Sequence, residues 1–312
     1  MATGSSSADG AGYAVLLVAY GSPNSLEEVE PYLLDVRNGR RTPPGLVAEL
    51  RRRYAAIGGR SPLLARTTEQ ADAVGATLQG RVPLYVGMRH WHPYIAEVMD
   101  RIRSDGHRRV VAVPMAPHFS RMSVGAYQRK LEAARDGLEV VTIRQWFDHP
   151  GFLEAVTARI REGLGRFDPA DRAGTTLLFT AHSLPRRILA DGDPYPEQLR
   201  ASVAGVLQRL GPYDHRFAFQ SAGSTGEPWL GPDVRDTLRE LAAEGARNVL
   251  VCPIGFVCDH LEVLYDVDIE LASAARALGV HLERSPSLNE SAQLASALAD
   301  LVRGAATTAG WT

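Results

Sequence analysis

The chain has 312 residues, 45% hydrophobic and 22% charged, with 34 Lys+Arg against 36 Asp+Glu. That length suits about two domains and a core that needs no disulfides, and the composition excludes a disordered or fibrous chain. The net charge of -2 argues against a broad basic face for nucleic acid.

Cys252 and Cys258, the only two cysteines, cannot build a disulfide framework and fit a reducing compartment. No apolar run approaches the ~20 residues that span a bilayer. The start of the chain is small and polar, unlike a signal peptide. A disordered tail over 1–12 and a cytoplasmic location are therefore expected.

In chain order, β-branched or apolar runs at 13–19, 82–86, 110–115, 138–143, 175–180, 216–220, 249–254 and 280–282 predict strands. Most of the intervals carry apolar positions at helical spacing, as in Leu153, Val156, Ile160 and Leu164, and in Leu238, Leu241 and Ala242. Strand–helix alternation of this kind predicts an α/β protein of parallel sheets covered by helices on both faces. Ligands then belong beyond the carboxyl ends of the strands.

The chain echoes itself. Gly106-His-Arg-Arg-Val-Val-Ala-Val-Pro114-Met matches Gly245-Ala-Arg-Asn-Val-Leu-Val-Cys-Pro253-Ile position for position, and Leu16–Pro23 resembles Leu177–Pro185 with one extra residue. Two similar halves, 13–147 and 148–312, are the economical reading. Tyr20 and His182 would leave corresponding strand ends and face each other across a cleft.

Glu262, Asp266 and Glu270 stand at i, i+4 and i+8, one face of a helix. Like charges at that spacing are destabilising unless water solvates them or a cation intervenes. A solvated acidic face and a cation track both remain open on spacing alone. His182, just past an apolar strand, fits a metal ligand, a proton acceptor or a satisfied structural histidine. Ser183 lacks the nucleophile-elbow glycines, and no dinucleotide, phosphate-loop or zinc-hydrolase pattern is present. His90 and His92 make a poor chelating pair, His118 suits a loop-fixing hydrogen bond, and Trp229 fits either a cleft wall or a core.

Ala19-Tyr-Gly-Ser-Pro23, Ile57-Gly-Gly-Arg-Ser-Pro62, Ala116-Pro-His-Phe-Ser120, Ala181-His-Ser-Leu-Pro185, Gly192-Asp-Pro-Tyr195, Pro228-Trp-Leu-Gly-Pro-Asp233 and Asp259-His-Leu-Glu-Val-Leu-Tyr-Asp266 resemble the ferrochelatase family in the family's order, across about 13–305. The resemblance implies a class II chelatase-like fold: two Rossmann-like domains with a porphyrin cleft between them and a last helix that can pack back on the first domain. It implies a lyase of haem biosynthesis that inserts Fe2+ without an organic cofactor. The tyrosine of Ala-Tyr-Gly is most like the coproporphyrin III ferrochelatases of Gram-positive bacteria.

By the same resemblance, His182 and Glu262 are the catalytic pair that meets incoming iron, and Tyr20 is axial to the product iron on the opposite face. Asp266 and Glu270 form a metal-delivery track or outer metal site. Arg37, Arg53, Tyr54, Ser61 and Tyr127 contact the macrocycle and its propionates, with one contact in doubt because Asn38 stands where some relatives carry a second arginine. Many actinobacterial relatives hold a 2Fe–2S cluster through four cysteines; two cysteines leave none expected here.

The expected partners are coproporphyrin III and ferrous iron, with transient hand-off to a coproheme decarboxylase. A monomer and no membrane insertion are expected. The alternatives are a protoporphyrin IX ferrochelatase, a chelatase for sirohydrochlorin or cobalt, and a non-catalytic porphyrin or haem carrier. A carrier has no use for a metal-entry track, which favours an enzyme.

Overall fold

A computed structural model of the chain describes residues 12–223 and 226–311. The tail expected over 1–12 lies outside the described residues apart from Gly12. The predicted strands form as β1 (Ala14–Ala19), β2 (Leu84–Met88), β3 (Arg109–Pro114), β4 (Glu139–Thr142), β5 (Thr176–His182), β6 (His215–Gln220), β7 (Asn248–Cys252) and β8 (His281–Arg284). Prolines explain the shifted ends. Pro83 has no N–H to give the ladder, so β2 starts after it, and Pro253 stops β7 at Cys252.

The strands build two four-stranded parallel sheets of the same topology, β2-β1-β3-β4 and β6-β5-β7-β8. The echoed segments are therefore equivalent in space: β3 and β7 each stand third, and β1 and β5 each stand second. Helices α1 (Val29–Val36), α2 (Pro44–Ala56), α3 (Leu63–Thr77), α4 (Ile95–Ser104) and α5 (Val124–Ala133) belong to the first half. The second carries α6 (Pro150–Leu164), α7 (Tyr195–Leu210), α8 (Val234–Ala243), α9 (Leu261–Leu264) and α10 (Ala272–Ala277). The expected seam at 147–148 falls in the connection from β4 to α6.

Both faces of each sheet are covered, which is why β1 is apolar at every position. Val15 and Leu17 point to one cluster, while Ala14, Leu16 and Val18 point to another. The first of these clusters runs through both halves. Val111, Val113 and Trp146 share it with Phe179, Leu250 and with Leu298 and Val302 of the last helix, α11 (Ala292–Thr308). α11 lies against α3 of the first half and α6 of the second. Each large side chain buried there contributes about 1.5–3 kcal/mol, so the two sheets are held in one fixed relation.

Polar ties cross the same seam. Gln70 Nε2 donates to the carbonyls of Val257 and Asn289, both at 3.0 Å. Asp193 accepts from Ser120 Oγ and from the Arg121 amide at 3.0 and 2.8 Å. His118 Nε2 lies 2.9 Å from Ser202 Oγ, and burial pushes its pKa down to about 3, so it is a neutral loop-fixing histidine. No helix among the described residues is long and apolar enough to cross a membrane.

Candidate active site

Tyr20 is the first residue beyond β1 and His182 is the last of β5, so the two side chains leave equivalent strand ends. Two glycines shape these exits. Gly21 has φ +94°, and a Cβ there would lie 2.9 Å from the Trp91 amide nitrogen. A Cβ on Gly255, after β7, would lie 2.7 Å from Ala181 Cβ and 3.0 Å from its Cα. Only glycine lets that loop pass directly beside the strand that presents His182.

Nε2 of His182 lies 3.4 Å from Oε1 of Glu262, with the side chains 32% and 33% exposed. The Nδ1 of His182 bonds the Ser183 carbonyl. A carbonyl can only accept, so Nδ1 carries a hydrogen and Nε2 is the nitrogen left to face Glu262. Tyr195 Oη donates to the His182 carbonyl at 3.0 Å, and the Trp229 ring stands 6.4 Å from the imidazole at 51°. Trp229 is thus a half-buried neighbour of His182. Ser183 Oγ donates to the Leu230 carbonyl at 2.8 Å, a structural use of the hydroxyl.

Burial alone would lower the pKa of His182, but the Glu262 carboxylate outweighs it and, with the Ser183 carbonyl, raises it to about 9. Burial alone would raise Glu262, but His182, His260 and Arg53 hold it below the ordinary carboxylate range. Without metal the couple is an imidazolium–carboxylate pair. Glu262 is placed from both sides. His260, kept unprotonated by burial, accepts the Glu262 amide on Nδ1 at 3.1 Å. Gln220, beside His182 in the ladder, donates to the Glu262 carbonyl at 2.9 Å.

The acidic stripe does not lie on one regular α-helix. α9 gives way to a π-helical turn over Asp266–Leu271, in which the Glu270 amide reaches back five residues to the Tyr265 carbonyl at 2.9 Å. Nor is the stripe a solvated face. Asp266, 13% exposed, receives Arg53 Nη1 at 3.4 Å and the Ser221 hydroxyl. Glu270 pairs with Arg235. The intervening cations are arginines. Burial, with repulsion from Glu262 and Glu270, pushes Asp266 up to about 6 against the pull of Ser221 and Arg53. Among the described residues no three His, Cys, Asp or Glu side chains gather as a metal-holding group.

The other expected contact residues differ in exposure and in partners. Tyr20 is 40% exposed, whereas Tyr54, Ser61 and Tyr127 are buried. Burial pushes the phenols of Tyr20, Tyr54 and Tyr127 up, and the field of Tyr20 reaches both of the others. Ser61 Oγ accepts the Leu63 amide at 3.2 Å and so starts α3. Arg37 closes α1 with a buried Nε that has no hydrogen-bond partner, a donor suited to a carboxylate. Arg53 is already occupied: besides Asp266 it bonds Glu49 at 2.9 Å and stacks over Tyr265, 5.2 Å from the ring centroid.

The segment just after β2 supplies two further neighbours of Tyr20, which the spacing of its histidines does not reveal. The Arg89 guanidinium sits 5.6 Å from the Tyr20 ring centroid and donates to the Met122 carbonyl at 3.0 Å. The His90 ring lies 4.7 Å from the Tyr20 ring, and its Nδ1 is 2.7 Å from Asp35 Oδ2. His92 pairs separately with Glu97. The available signal was topological: β2 neighbours β1, so its carboxyl end opens on the same cleft. Cys252 and Cys258 are buried free thiols, both pushed up by burial.

The sequence model of the family described as Ferrochelatase matches residues 12–306. The chain belongs to the ferrochelatase family. It is 47% identical over 300 residues to a protein named Ferrochelatase from Herpetosiphon aurantiacus, covering 93% of this chain and 98% of that one. It is 39% identical over 297 residues to a Coproporphyrin III ferrochelatase from Anoxybacillus flavithermus, covering 92% and 94%. Membership makes the chain a metal chelatase of haem biosynthesis, with a porphyrin and iron as its substrates. Among solved structures, SirB from Bacillus subtilis superposes with a TM-score of 0.59 at 12% identity, covering 96% of this chain and 97% of that one. That likeness shows the shared two-sheet chelatase fold.

Proposed function

We propose that the chain inserts Fe2+ into coproporphyrin III to give Fe-coproporphyrin III, with the macrocycle between Tyr20 and the His182–Glu262 couple. One observation carries this reading: an exposed phenol and an imidazole leave equivalent strand ends of two sheets with the same order, and α9 sets a carboxylate 3.4 Å from that imidazole. The name of the Anoxybacillus flavithermus relative supports coproporphyrin III, while that of the Herpetosiphon aurantiacus relative names no porphyrin.

Insertion requires that Fe2+ lose water and that two pyrrole N–H protons leave as the metal takes their place. Propionate binding far from the centre supplies the energy to bend the ring and expose its nitrogen lone pairs. Arg37, with its unpartnered buried Nε, fits a propionate fork. Arg53 has to trade Asp266 or Glu49 to do the same, so its first task is to hold the acidic stripe to α2.

At the centre, His182 Nε2 and Glu262 offer two donors, an imidazole and a carboxylate, suited to a first-row metal that must be released again. The remaining positions stay open to water and then to pyrrole nitrogens. In the metal-free couple the Nε2 proton stands where iron would bridge the two side chains, so proton and metal compete for one place. Glu262, held ionised, also lies ready to take protons from the ring. Tyr20, its phenol pushed up by desolvation although the side chain is part-exposed, meets the opposite face and would be the axial group of the product.

The test is anaerobic metallation followed by visible absorption, with coproporphyrin III and protoporphyrin IX compared by kcat/KM. Coproporphyrin III should be preferred by about tenfold or more, because carboxylate-binding groups left unpaired penalise the substrate with fewer carboxylates. Equal use, or preference for protoporphyrin IX, would assign the dicarboxylate substrate instead.

A further inference from the structure

A second concave site has none of Tyr20, His182 and Glu262 in its wall. A cavity of about 920 Å3 lies at the edge strand β4, between α5 and the turn before α7, and its wall includes Arg121, Arg129 and Arg144. All three side chains are exposed. Among the described residues none of them pairs with a carboxylate, although other exposed arginines do, Arg303 with Asp300 and Arg239 with Asp236 among them. Glu132, the one acid in the wall, pairs with Arg135 at 3.5 Å.

Two of the three guanidiniums are also held in place. Arg144 stacks over Phe119, 5.0 Å from the ring centroid, and Arg129 Nη2 donates to the Arg121 carbonyl at 3.3 Å. The loop that carries Phe119 and Arg121 is tied to the second half by Gln198 and Asp193. Three like charges on one concave surface raise the local potential and draw counter-ions. Stacked arginine forks pay little entropy when they bind carboxylate or phosphate oxygens bidentately. Leu131, Val140 and Pro194 add apolar wall, and Gln128 and Gln145 add neutral donors.

We infer that this cavity is a binding site for a small polyanion bearing two or more carboxylate or phosphate groups, separate from the porphyrin cleft. The experiment is calorimetric titration of the full chain at low ionic strength with citrate and, separately, with pyrophosphate. One saturable site is expected. Arg129→Ala and Arg144→Ala should each weaken it about tenfold or more, while Arg239→Ala leaves it unchanged. Iron insertion should be unaffected in Arg144→Ala.

Should Arg144→Ala lose structure with its Phe119 stack, Arg144→Lys keeps the charge, removes the fork and should still weaken binding. Preference for citrate assigns carboxylates and preference for pyrophosphate assigns phosphates; either supports the site. Absence of saturable binding with both probes would overturn it. So would an equal loss in Arg239→Ala, which would show unspecific attraction to a positive surface.

Discussion

His182 Nε2 and Glu262 Oε1 stand 3.4 Å apart, although the residues come from the end of β5 and from α9. The pair is the meeting point of a sheet edge and an acidic stripe, and its charge state governs what can bind there.

That charge state predicts a pH dependence. The folded pKa of His182, about 9, lies above its ordinary value of about 6.5. Its stabilising contribution is complete below pH ~6.5 and is lost as pH rises through about 9. Denaturant titration of the metal-free protein should therefore show this contribution fading over that window. In Glu262→Gln the dominant raising charge is gone while burial remains, so the fade should vanish. The kcat/KM for Fe2+ should run the other way, rising with pH as the competing proton leaves. A flat profile would separate the pair from metal entry.

His182→Ala and Glu262→Gln should each lower metallation by about 10²–10⁴-fold, the range for removing a group that transfers protons or positions the reacting centre. Porphyrin binding, followed by fluorescence quenching, should persist in both. Normal turnover in either variant removes that residue from the iron path.

For Tyr20→Phe the expectation differs in kind. On the proposed reading the phenol meets the product rather than the incoming metal, so insertion should continue at a similar rate. The absorption spectrum of the bound iron product should shift as the axial oxygen is lost. An unchanged spectrum would take Tyr20 off the iron.

Gly255→Ala tests how the fold presents the site. The new Cβ would stand 2.7 Å from Ala181 Cβ and 3.0 Å from its Cα, and neither can step aside. Overpacking of this sort costs about 1–3 kcal/mol, readable as a lower urea midpoint. The displaced loop should also raise the KM for Fe2+ through the adjacent His182. Wild-type stability would mean that the loop has room the geometry does not show.

Much of this was legible in residues. Val15, Leu16 and Leu17 announce a strand covered on both faces, and the Gly106 and Gly245 echoes announce equivalent strands, because buried parallel strands need continuous apolar runs. The π-helical turn was written less openly. Glu262, Asp266 and Glu270 on one side, and the buried Val263, Val267 and Leu271 on another, repeat every four residues without the drift of a 3.6-residue helix. That fixed step suits a locally wider turn.

What stayed hidden depends on contacts between distant segments. Arg53 meets Asp266 across 213 positions, and no local pattern distinguishes that bridge from a propionate contact. The stacking of Arg89 on Tyr20 likewise needs the strand order, which only the assembled sheet supplies.

The measurement that bears most directly on the account is a crystal structure of the chain with Fe-coproporphyrin III bound. The iron should lie in the cleft, with the Tyr20 hydroxyl on one face and His182 and Glu262 on the other. A macrocycle lodged elsewhere, or one with all three side chains on the same face, would contradict it.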